Sequence, residues 1–235
     1  MSGFRRGLMA NAAIDPLKVP LTFTAAEAGA TVAITATGSA TVSGLHYRMG
    51  KSGLWLPYTA GTVIALPNIG DSVQFWNSEN ALSTNANNRV QAVITGKTAA
   101  SGNMQSMLNW NETLRGIWSV YNHMFYQNLD LVAAPLLPAT EVCGYCYTNM
   151  FSTTGITKAP ELLATTLASY CYYRMFTACT NLKEIRVHFT EWHEDATLQW
   201  VSGVPAGGIF YKPSALPEEY GISRIPEGWT VVNID

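Results

Sequence analysis

The dipeptide Met-Phe recurs three times in the second half of the chain, at Met124-Phe125, Met150-Phe151 and Met175-Phe176, at intervals of 26 and then 25 residues. Residues 139–151 and 164–176 are identical at 7 of 13 positions, sharing Ala-Thr, Tyr-Cys-Tyr and Met-Phe. Self-similarity at this period marks an array in which no unit can bury its apolar face alone and stacking supplies the core. A polar turn follows each Met-Phe, then an aliphatic residue, Leu131, Ile156 or Leu182. Ala-Pro comes next in two units, at Ala134-Pro135 and Ala159-Pro160, and is replaced by Ile185-Arg186 in the third. The turn Ser152–Gly155 is one residue short, which accounts for the interval of 25. The stretch before each Met-Phe predicts a helix. Leu167, Cys171 and Met175 fall at i, i+4 and i+8, with Ala168, Tyr172 and Phe176 as the adjoining ridge and Thr165 or Thr166 as cap. One unit earlier, Val142, Cys146 and Met150, then Cys143, Tyr147 and Phe151, take the same places.

Before residue 100 the period is different. Short β-branched and aromatic runs alternate with turn signals, predicting strands at Leu21–Thr24, Thr31–Ala36, Gly44–Met49, Trp55–Thr59, Thr62–Leu66, Ser72–Asn77 and Arg89–Thr95. Gly50-Lys51-Ser52-Gly53 reads as a hairpin turn, and residues 80–88 as a polar loop. Seven short strands in so short a stretch suit a small sandwich. The expected fold class is therefore β plus α/β. An immunoglobulin-like β-sandwich is followed by a short repeat solenoid with a C-terminal cap. The boundaries are an arm over 1–20, the sandwich over 21–100, a linker and N-terminal cap over 101–114, three repeats over 115–187 and the cap over 188–235.

Chemistry is sparse in this sequence. Charged residues are 13 % of the 235, about half the usual share, and the formal charge is −2. Such a balance argues against a dedicated nucleic-acid binder, whose footprint is basic. No apolar run reaches the length of a membrane-crossing helix. Cys143-Gly-Tyr-Cys146 has redox spacing but no βαβ unit before it, and Cys171 and Cys179 stand too far apart for a zinc ribbon. Cys146 and Cys171 instead occupy equivalent repeat positions, so the four cysteines are expected to be structural, without metal or catalytic disulfide. Trp192-His193-Glu194-Asp195 groups a histidine with carboxylates and reads as a polar turn. His46, His123 and His188 are scattered, and no phosphate-binding glycine loop or nucleophile elbow is found. No enzyme and no cofactor is expected.

Met175-Phe176-x-x-Cys179-x-x-Leu182-x-x-Ile185-x-Val187 resembles the repeat of the BspA-like leucine-rich repeat proteins. The resemblance covers about residues 115–187 and implies that Cys179 is a turn residue. Asn128 matches that turn position in the first unit; the second unit lacks it. Pro20–Gly29, Val93–Lys97 and Ala100–Asn103 are similar to the Ig-like module that precedes such repeats in surface proteins of gut Bacteroidetes and in their phages. Trp200–Val204 and Ile225–Val231 are similar to the closing segment of that group.

Bacterial members of the group are exported. Here Gly7-Leu8-Met9-Ala10 is interrupted by Asn11, so no secretory signal is expected, and the start Phe4-Arg5-Arg6 is similar to phage-borne members. The resemblance thus implies a phage virion component, a fibre or a tail- or head-associated decoration protein, with a bacterial cell-surface adhesin or glycan-binding module as the alternative. The arm offers Phe4, Arg5, Arg6, Leu8 and Met9 as anchors to other virion subunits or symmetry mates. Helical spacing places Tyr145, Tyr170, Tyr173 and Arg174 on the outer face, where Tyr and Arg make a candidate host-binding surface. Low charge and abundant tyrosine hint at a homo-oligomer.

Overall fold

The fold is dictated first by two sheets whose strands before residue 102 pair antiparallel. A computed structural model describes residues 18–79, 82, 87–111, 114 and 118–235. The anchor residues Phe4, Arg5, Arg6, Leu8 and Met9 lie outside them. The strands are β1 (Leu21–Ala25), β2 (Ala30–Ala36), β3 (Leu45–Met49), β4 (Leu56–Pro57), β5 (Ile64–Leu66), β6 (Ser72–Asn77), β7 (Val90–Thr95) and β8 (Thr98–Ser101). After them come β9 (Leu131–Ala133), β10 (Glu184–Arg186), β11 (Ile209–Lys212) and β12 (Thr230–Asn233).

One sheet runs β4-β3-β6-β1-β8-β9 and the second β5-β2-β7. Alternation explains the inner faces: Leu21, Phe23 and Ala25 of β1 and Val73 and Phe75 of β6 are buried, as are Val32 and Ile34 of β2. Tyr58 joins the two layers. Its ring meets Phe75 edge-on at 5.3 Å, and its hydroxyl accepts from the Ile34 amide at 2.7 Å. Two facing antiparallel sheets are what a small sandwich requires.

Beyond residue 118 the structure departs from the expected α/β leucine-rich-repeat solenoid. The protein is nearly all β, with 30 % strand and 3 % helix. The described residues contain the short 3-10 helix Met104–Leu108 and no α-helix. The units do not close as a solenoid. The segments that helical spacing marked are rows of reverse turns.

In residues 119–128, the amides of Asn122, Met124, Tyr126 and Asn128 each reach back three residues, to the carbonyls of Ser119, Tyr121, His123 and Phe125. The intervening amides of Ser119, Tyr121, His123, Phe125 and Gln127 point sideways, to the carbonyls of Gly144, Cys146, Thr148, Met150 and Ser152 in the next row. From Tyr121 to Asn128 every backbone amide is thereby satisfied without a helix. Left-handed residues recur every fourth position: Ser119, His123 and Gln127, then Tyr145, Asn149 and Thr153, then Tyr170, Arg174 and Ala178. A turn with positive φ at its third residue has this requirement. The i, i+4 apolar spacing that read as helix is the period of paired turns.

The rows pack in register. Tyr121, Tyr147 and Tyr172 form one column, with ring centroids 5.9 Å apart at each step. Phe125 and Phe151 stack at 5.2 Å and Phe151 and Phe176 at 6.0 Å, and Trp200 closes that column 6.1 Å beyond. Trp200 belongs to a fourth row inside the segment read as a C-terminal cap. Its carbonyl and those of Ala196, Leu198 and Ser202 accept from the amides of Phe176, Tyr172, Arg174 and Ala178. On the other side of the rows, β10 pairs in parallel with β11 and β11 with β12.

Candidate functional site

The rows bring four of the expected surface residues together. Tyr145 and Tyr170, 25 positions apart, stack with centroids 4.8 Å apart and planes 15° from parallel. Tyr173 meets Tyr170 edge-on at 5.7 Å, and the Arg174 guanidinium lies over the Tyr173 ring at 5.0 Å. Arg174 is further fixed by donating from Nε to Gln199 Oε1 at 2.8 Å. A guanidinium held between a ring face and an amide is preorganised, so little rotamer entropy remains to be lost on contact.

The geometry changes what these rings can do. At 4.8 Å, Tyr145 and Tyr170 occupy each other's faces. They present edges and hydroxyls outward, and no ring of a ligand can enter between them. Other positions expected outward are not there. Ser119, Asn122 and Thr148 are buried, and Thr148 donates its hydroxyl to the Tyr170 carbonyl at 2.8 Å. Turn rows point successive side chains differently from a helix.

Three contributors escaped the sequence reading. Trp118 extends the row beyond Tyr145, at 6.4 Å and 34°. Asp195 lies close enough to Tyr170 for its carboxylate to raise the pKa of the phenol. Gln199 orients Arg174. Asp195 stands 25 residues after Tyr170 and Gln199 stands 25 after Arg174, so continuing the period by one unit would have found both.

The remaining chemistry-bearing groups are dispersed. Nε2 of His188 pairs with Glu161 at 2.7 Å, Nδ1 of His46 with the Gly44 carbonyl at 2.8 Å, and Nδ1 of His123 with the Asn122 side chain. His193 and Glu194 are exposed. Among the described residues, no group of three His, Cys, Asp or Glu side chains converges as a metal ion would need. All four cysteines are free and buried. Burial pushes the Cys171 thiol up to about 12 and Cys146 well above its usual value. The hydrogen bond from Cys146 draws Cys143 down. Cys179 donates to the Phe151 carbonyl at 2.9 Å, tying one row to the next.

Among the described residues, no helix is long and apolar enough to cross a membrane. Compared with family models, with curated proteins and with solved structures, the chain matches none.

Proposed function

We propose that the protein is a non-enzymatic phage virion component, carried on the tail or head, that presents its stacked turn rows to the host surface. The observation that supports this most directly is the continuous strip Trp118–Tyr145–Tyr170–Tyr173–Arg174. Stacking the rows repeats one surface position at short intervals. It thereby gathers aromatic and guanidinium groups, the residue types that dominate binding energy at contact surfaces. The repeat residues that resemble BspA-like proteins support the same reading.

The arm anchors the subunit to its neighbours. Its last residues are pinned beside β1: the Val19 carbonyl accepts from the Asn103 amide at 2.8 Å. Mass spectrometry of purified particles tests the placement, and deletion of residues 2–18 tests the anchor. The deleted protein is expected to keep its thermal transition and to be missing from particles. Normal incorporation refutes anchoring. Recovery of the chain from bacterial envelopes, with none in particles, favours the adhesin.

A further inference from the structure

The strip contains one ring whose face is free. Trp118 is 66 % exposed, and its six-membered ring lies flat on Gly144. A β-carbon placed on that glycine would fall 2.7 Å from Cζ3, 3.1 Å from Cε3 and 3.3 Å from Cη2. Gly144 has no positive φ. Its lack of a side chain therefore serves the seat of the indole, and no turn requires it. The Ser119 amide donates to the Gly144 carbonyl at 3.2 Å, which fixes the distance between the ring's backbone and its seat. One indole face is thus held against the protein and the opposite face meets solvent. Beside it stands Tyr145, its ring centroid 6.4 Å away, with Tyr170 one row further on.

We infer that Trp118, seated on Gly144, is a platform for one pyranose ring of a bacterial surface polysaccharide, with the neighbouring Tyr145 bordering the sugar and Tyr170 next along the strip. A pyranose has an apolar face of C–H groups about the size of one indole and a rim of hydroxyls, and the site offers one flat apolar face and a polar border. A protein partner needs a larger continuous apolar centre than a single ring supplies. The tyrosine pair is the poorer platform, since each ring gives one face to the other and its remaining side is flanked, Tyr145 by Trp118 at 6.4 Å and Tyr170 by Tyr173 at 5.7 Å. This inference rests on the attachment reading above and names the ligand class of the same strip.

The test uses the full chain against immobilised bacterial lipopolysaccharides and capsular polysaccharides, read by biolayer interferometry. Saturable binding to at least one of them is expected, and it should weaken about tenfold in Trp118→Ala, the scale of one lost aromatic contact. Trp118→Tyr should retain most of the affinity. Gly144→Ala, which lifts the indole from its seat, should lower it. Because Trp118 is exposed, the alanine variant should keep the parent's thermal transition, and Trp118→Tyr serves if it does not. Periodate oxidation of the polysaccharide, which opens sugar rings, should abolish the signal. Absence of binding to every polysaccharide, or equal binding by Trp118→Ala, overturns the platform. Adsorption to intact host cells separates the two readings. If Arg174→Ala abolishes adsorption and Trp118→Ala does not, the platform falls and attachment stands. If neither variant changes adsorption, both fall.

Discussion

At the scale of the residue, His123 carries the clearest pH signature. Burial, with the Arg89 charge adding to it, lowers its pKa from 6.5 to about 4. Its ring meets Tyr126 edge-on at 4.9 Å. In the unfolded chain the imidazole takes a proton near its ordinary value, while the folded protein refuses it until the pH is much lower. The unfolded state therefore binds more protons between those two values, and stability falls as the pH drops through that window. Thermal unfolding should show the transition declining from pH 7 towards pH 4, with a shallower decline in His123→Asn. Asparagine tolerates the left-handed backbone that His123 adopts at φ 64°. An unchanged slope in the variant would assign the acid sensitivity to other groups. Two hydroxyls in the tyrosine column differ in a related way. Tyr121 donates to the Met104 carbonyl at 2.9 Å, whereas the buried Tyr147 hydroxyl has no hydrogen-bond partner.

At the scale of the element, the turn row is the novelty, and its cost is the repeated left-handed backbone of ordinary residues. Left-handed conformation costs an L-residue roughly 1–2 kcal/mol, and glycine avoids it. Ala178 takes φ 57° and Gly203, 25 positions on, takes φ 77° at the equivalent place in the fourth row. Ala178→Gly is therefore expected to stabilise the protein by about 1 kcal/mol, read as a raised midpoint in chemical denaturation. A lowered midpoint would mean that the row holds this residue without strain.

The same rows show what the sequence could and could not convey. All seven strands expected before residue 96 form, because alternation of buried and exposed side chains is a local signal. β8 (Thr98–Ser101) was missed, since Thr-Ala-Ala-Ser carries little β propensity. The stacking of Met-Phe on Met-Phe was legible from the period. The absence of helices was not: a spacing of four serves one helical turn and two linked reverse turns alike, and nothing in Tyr145, Asn149 or Thr153 announces a positive φ. The fourth row was hidden because Trp200-Val201 stands where Met-Phe stood. At the site, Tyr145, Tyr170, Tyr173 and Arg174 were legible as a group, but Trp118 was not, since its place depends on Gly144 in another row.

At the scale of the molecule, the sheets and the rows are joined by hydrogen bonds that neither could replace alone. β8 pairs in parallel with β9 across the segment read as a linker. Asn128, itself buried, accepts from the Ile94 amide at 2.9 Å and donates to the Ala92 carbonyl at 2.8 Å. The Ala92 amide in turn donates to the Met124 carbonyl at 2.8 Å. Phe23 and Phe125 meet edge-on at 6.1 Å, so the aromatic column continues into the sandwich. Cutting the chain after Ser101 would remove the partners of the Ala92 and Ile94 amides, bare the flank of β8 and uncover Phe23, so apolar surface buried in the full chain would meet water. The full chain is expected to unfold in one calorimetric transition, and a chain ending at residue 101 to be far less stable or unfolded. Two separate transitions in the full chain, with a stable N-terminal fragment, would contradict this.

The sideways amides have an evolutionary consequence. Each row receives donors from the row before it and gives its own to the row after, so the two sides of a row are chemically interchangeable with those of any other. A tandem duplication of 25 codons would insert a new row whose amides and carbonyls find partners at once, while the sandwich below and the closing segment above keep theirs. Row number is thus a heritable ruler. Each row added or removed would change the length of the strip by about 5 Å, the spacing of neighbouring hydrogen-bonded chains.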